Sequence, residues 1–152
     1  MKIAIFKTAA LLAISITTFS QKVYYHKNTF EKTFIKCENP PTFGTDTSDL
    51  EKYLSDKLRD HIAATFGSIK ASVLIDSTGK ALCEWIDNTS NLKVKRAKLN
   101  DIIDSMPKWN CGIQHGHKVN CVELLVLTFN NQDLEVTYRI GYDQEQPIYR
   151  LP

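Results

Sequence analysis

Apolar and polar residues follow two periods along this chain, and each change of period marks a predicted element. Leu50, Tyr53, Leu54, Leu58 and Ile62 recur at helical spacing behind a capping box of Ser48 and Glu51. That spacing predicts a helix running to Phe66, with Gly67 as its terminal cap. The period then shortens to two. Ile69, Ala71, Val73 and Ile75 alternate with Lys70 and Ser72, Asp76-Ser77-Thr78-Gly79 turns the chain, and 81–86 completes a β-hairpin. Asn88-Thr89-Ser90 caps a second predicted helix over 91–106, with Leu99, Ile102, Ile103 and Met106 on its apolar face and Lys93, Lys95, Arg96 and Lys98 on the other. These cations read either as a solvated helix face or as a docking patch.

Pro107-Lys108-Trp109 stops this helix, and a loop bracketed by Gly112 and Gly116 leads into a long strand. Val119, Cys121, Leu125, Leu127 and Phe129 share one side of it, with Asn120 and Thr128 on the other. Glu123 interrupts the apolar row. An unpaired buried carboxylate is costly, so either solvent or a cation is expected there. Trp109 is expected to plug the core where the helix meets the sheet, and Trp85 to be half exposed. Beyond the turn residues Asn130-Asn131-Gln132-Asp133, Leu134, Val136, Tyr138, Ile140 and Tyr142 alternate with Glu135, Thr137 and Arg139. They predict an extra strand folded back on the preceding one. Upstream, 29–37 is β-rich with Phe30 and Phe34 on one face, a further predicted strand.

The first 20 residues have the layout of a secretory signal: Lys2 and Lys7, then an apolar run over 8–19 with small residues at Thr18 and Ser20. That run is too short to span a bilayer, so cleavage after Ser20 and a periplasmic location are expected. An uncleaved anchor is the rival reading. Loss of the two leader lysines leaves 17 basic against 17 acidic residues. A balance near zero argues against nucleic acid and anionic lipid as partners. The remainder is the size of one domain, with 21–37 as an N-terminal extension and 131–152 as the extra strand and tail around a body over 38–130.

Candidate chemistry is sparse. Cys111, His115, His117 and Cys121 surround the turn at Gly116, the ligand types of a tetrahedral zinc site, although close cysteine pairs are missing. In an exported chain, oxidation competes with metal binding. Three states are open here: a Cys111–Cys121 disulfide across the base of the turn, free thiols, or metal. Cys37 and Cys83 would form a second possible pair, and four cysteines allow three connectivities. A nucleophilic Cys111 with His115 or His117 as base is the only local catalytic candidate. His26 and His61 are isolated, Asp101 and Asp104 sit among helix residues, and no phosphate loop, G-x-S-x-G or H-E-x-x-H occurs. The expectation is no catalytic residue, no metal and no cofactor.

Ser105-Met106-Pro107-Lys108-Trp109, Gly112 and the strand entered through Gln114-His115-Gly116-His117-Lys118-Val119-Asn120 resemble the C-terminal domain of the TonB family of energy transducers. Pro41-Thr42-Phe43-Gly44 with Leu50, Lys52, Tyr53 and Leu54, and Gly67-Ser68-Ile69-Lys70-Ala71-Ser72-Val73-Leu74-Ile75-Asp76 before Gly79, are similar at the expected intervals. The resemblance covers 38–129. It implies an α+β fold, with two helices packed on one face of a small antiparallel sheet, here with an extra C-terminal strand. It also implies recognition by β-strand addition, in which unpaired backbone groups of an edge strand bind an extended partner segment.

The candidate edge is 119–129, with Val119, Asn120, Val122, Leu124, Val126 and Thr128 as partner-binding positions and a TonB-dependent transporter or another outer-membrane complex as partner. The extra strand would fill that edge and change partner choice. Full transducers add a membrane helix and a Pro-rich spacer that have no counterpart in these residues, so energy transduction is not expected. The alternative is a structural or accessory subunit of an envelope assembly, held through Trp85, the basic helix face or Pro147-Ile148-Tyr149.

Overall fold

The computed structural model describes residues 21–24, 33–45 and 47–140. The predicted leader, Phe30 and the tail beyond 140 lie outside the described residues. The longest apolar alternation becomes the centre of the sheet. Strand β6 (His117–Asn130) pairs antiparallel with β3 (Phe66–Ile75) along 121–130, and β3 pairs in turn with β4 (Ala81–Asn88). The predicted extension joins the same sheet. Strand β1 (Gln21–Tyr24) pairs antiparallel with 85–88 of β4, and β2 (Thr33–Phe34) pairs parallel with Asn120 and Cys121. Strand β7 (Asp133–Ile140) folds back on 123–130, on the side of β6 away from β3, and a short β5 (Gly112–Gln114) pairs with 117–119. Among the described residues, six strands thus form one mixed sheet with β5 attached, larger than the small antiparallel sheet expected.

The helices lie on one face of that sheet. Leu50, Leu54 and Leu58 of α1 (Thr47–Ile62) are fully buried with Ile69, Ala71, Val73 and Ile75 of β3 and Leu125 and Leu127 of β6. At about 25 cal/mol per Å², each such leucine contributes roughly 2 kcal/mol of transfer free energy. Glu51, expected in a capping box, reaches beyond its own helix, its Oε2 accepting from the Val136 N–H at 3.3 Å.

The first helix ends at Ile62 rather than Phe66. Ala64 takes the left-handed turn (φ 63°), its N–H donating to Asn131 O, and Gly67 stands inside β3. A Cβ in the left-handed region costs roughly 1 kcal/mol, so Ala64→Gly is expected to raise stability by up to about that amount, as read from the urea midpoint.

The second predicted helix is two short ones, α2 (Val94–Ala97) and α3 (Leu99–Asp104), broken at Lys98 in the left-handed region (φ 52°). Asn88 and Ser90 organise the approach: Asn88 Oδ1 accepts from the Ser90 N–H and hydroxyl, and Ser90 Oγ accepts from the Leu92 N–H. The Tyr53 hydroxyl donates to Ile102 O (3.3 Å) and ties α1 to α3 over the same face.

Candidate functional site: the borders of the sheet

The strand expected to offer a free edge is interior. Leu124, Val126 and Thr128 are paired with Ser72, Lys70 and Ser68 on one side and with Arg139, Thr137 and Glu135 on the other. Val119 pairs with Gly112, Asn120 with Thr33, and Val122 with Leu74. The Asn120 Oδ1 also accepts from the Ser77 N–H. Backbone groups held in two ladders are not available to a partner, so the assignment of recognition to Leu124, Val126 and Thr128 is corrected, while Val119, Asn120 and Val122 each have one strand partner. The physical reason is that β7 and β2 occupy the side of β6 that a three-stranded sheet would leave open.

Two borders remain. On the β7 border the hairpin turn docks against the end of α1, Asn131 N–H donating to Thr65 O (2.8 Å), and Glu51 takes the outward amide of Val136 at mid-strand. On the other border the described residues of β1 pair with 85–88 of β4. The side of 81–84 away from β3 has no strand beside it among the described residues, although Asp104 Oδ1 accepts from the Cys83 N–H at 2.6 Å. Sequence reasoning missed Glu51 and Asp104 in these roles, because an edge amide is identifiable only once the strand order is known.

The cysteines are not paired as the sequence suggested. The disulfide joins Cys37 to Cys121, leaving Cys83 and Cys111 free. Gly112 explains why Cys111 is excluded: a Cβ there would lie 2.3 Å from Cys121 Sγ and 2.9 Å from Cys37 Sγ. Successive residues of an extended chain point to opposite faces, so Cys111 is turned away from the bridge that Gly112 accommodates. The Cys83 thiol is pushed up to about 12 by burial, with the Asp104 and Glu84 carboxylates adding to it. A thiol so strongly protonated is unsuited to nucleophilic attack.

His115 serves the turn. Its Nδ1 lies 3.1 Å from Glu38 Oε1, its N–H donates to Glu38 Oε2, and Gln114 and Glu38 exchange two further hydrogen bonds. His117 is exposed, and no group of three His, Cys, Asp or Glu side chains stands close enough to hold a metal ion among the described residues. Glu38 was not a candidate in the sequence, since its partners lie more than seventy positions away.

Trp109 is 2% exposed and meets Phe43 edge-on at 5.2 Å and Tyr138 at 5.9 Å between ring centroids. Gly79 (φ 89°) admits it, because a Cβ there would fall 2.2 Å from Trp109 O, and the Trp109 N–H donates to Gly79 O. Trp85 is half-buried on β4.

Glu123 is buried, and among the described residues no cation meets it. It is 1% exposed, its Oε2 has no hydrogen-bond partner among the described residues, and burial pushes its carboxyl up to about 8. The carboxyl is therefore kept as the neutral acid at pH 7.

No family model matches the chain, and neither a curated protein nor a solved structure matches it.

Proposed function

We propose that this protein is an exported, non-catalytic, TonB C-terminal-like binding module that takes an extended segment of a protein partner onto the β4 border of its sheet. The observation that supports this reading is the inequality of the two borders. The β7 border is closed at its middle by α1 through Glu51, and its turn is pinned to the end of the same helix. On the β4 border, among the described residues, β1 stands beside 85–88 and no strand stands on the outer side of 81–84, where Asp104 takes one amide, that of Cys83. A segment adding there would exchange main-chain hydrogen bonds with β1 or with that half of β4, displacing Asp104 from the Cys83 amide, and would need no specific side-chain chemistry.

Amide exchange of the isotope-labelled mature chain with and without a TonB-box peptide tests the reading. Slowed exchange at 21–24 and 81–84 is expected. Protection confined to Asp133–Ile140, or none at a peptide concentration that saturates a TonB C-terminal domain, would refute it. Mass spectrometry of the periplasmic fraction tests export separately, with Gln21 as the expected first residue.

A further inference from the structure

The chain between β4 and α3 carries Lys93, Lys95, Arg96 and Lys98 within six positions, with no acidic residue among them. All four are exposed, whereas Val94 and Ala97 between them are buried in the core. Among the described residues none of the four takes part in an ion pair. Like charges this close repel one another, and an anionic partner would relieve that repulsion as well as add attraction.

The topology ties the chain on either side of this segment to β4. The chain leaves β4 at Asn88, which pairs with Gln21, and comes back to the same strand where Asp104 meets the Cys83 amide. The basic stretch is therefore held in a connection anchored to β4 at Asn88 and again through Asp104. A strand of eight residues is about 26 Å long, so an extended segment laid along it is long enough to carry several carboxylates. A membrane surface is the poorer fit, because insertion calls for exposed apolar side chains beside the basic ones, and here Leu92, Val94 and Ala97 face inward.

We infer that Lys93, Lys95, Arg96 and Lys98 form a docking site for the carboxylates of an acidic polypeptide segment. The inference deepens the strand-addition reading and rests on it for the extended form of that segment. The charge pattern selects the partner's composition, and the sheet border supplies the main-chain bonds.

The probe is a poly-L-glutamate oligomer titrated into the full mature chain. Oligonucleotides and phosphatidylglycerol vesicles serve as competing anions, and poly-L-lysine as the opposite charge. Poly-glutamate is expected to bind at low salt, to weaken about tenfold or more as salt shortens the screening length, and to bind better than the other probes. Joint substitution Lys93→Glu, Lys95→Glu, Arg96→Glu and Lys98→Glu should cut its affinity at least about tenfold. Lys93→Arg, Lys95→Arg and Lys98→Arg together should keep it, with unchanged circular dichroism in both variants. Equal binding by the charge-reversed chain, stronger binding to vesicles or oligonucleotide, or none at low salt would each overturn the inference. Amide exchange on the same complex separates the two readings: charge-dependent binding without protection at 21–24 and 81–84 retains the acidic docking site and removes strand addition.

Discussion

Reduction of the Cys37–Cys121 disulfide is expected to cost about 4 kcal/mol of stability, read as a urea midpoint lowered by about 2 M. The bridge joins residues 84 positions apart, so cutting it frees a large loop in the unfolded chain. Its native role is equally definite. It fastens the strap over 33–44 to the central strand, and the strap continues through main-chain bonds between Asn39 and Ile113 and between Thr42 and Asn110. The strap ends by laying Phe43 against Tyr53 and Trp109. Loosening it should therefore also change the fluorescence of Trp109 before global unfolding. Cys37→Ser with Cys121→Ser should behave as the reduced protein does, while Cys111→Ser should leave the midpoint within about 0.5 kcal/mol of the original. Peptide mapping without reductant must find the 37–121 linkage. A 111–121 linkage, or a shift below about 1 kcal/mol, would show that the strap is held without the bridge.

What the linear pattern reveals of this fold is whatever a local period can express. Leu50, Leu54 and Leu58 announce the buried stripe of α1, Asp76 and Gly79 announce the β3–β4 turn, and Leu134 and Val136 announce a strand with one buried face. The break at Lys98 was hidden because neither Gly nor Pro marks it. A trace of it exists all the same: Ala97 and Leu99 are both buried, and residues two apart cannot share one face of a continuous helix. The disulfide was illegible for a different reason. Cys111 is ten positions from Cys121 and Cys37 is 84, yet loop closure grows only slowly with length, so proximity in sequence is a weak guide to pairing. The candidate site suffered most, because which strand is an edge depends on strand order. Pairing of β7 with β6 followed from the alternation after Asn131, but a strand predicted over 29–37 does not say that its residues 33–34 join β6, and nothing over 21–24 says that β1 joins β4.

Glu123 is expected to make this protein less stable as pH rises from about 4.5 to about 8. Its carboxyl stands in the apolar row of β6, across from Val73 of β3, with Cys121 and Leu125 two residues to either side. Burial lifts it from an ordinary 4.5 to about 8 in the folded chain. Below 4.5 the folded and unfolded states both carry the proton, and this group does not make stability depend on pH. Between the two values the unfolded chain has lost a proton that the folded chain retains, so stability falls by about 1.4 kcal/mol per pH unit. Above about 8 both states are ionised and the slope from this group vanishes. Across the window the loss is on the order of 5 kcal/mol, a large share of the 5–15 kcal/mol typical of a domain. Glu84, half-buried and also raised by burial, adds a slope of the same sign, so the decisive quantity is the difference between variant and parent. Glu123→Gln has no proton to lose. It should match the parent near pH 4 and exceed it by a margin that widens toward pH 8. Glu123→Leu, which completes the apolar row, should be the more stable chain throughout that range. Urea midpoints at four pH values decide the matter. Curves for parent and Glu123→Gln that stay parallel from pH 5 to 8 would mean that the carboxyl is ionised in the fold, and so reached by water or a cation after all.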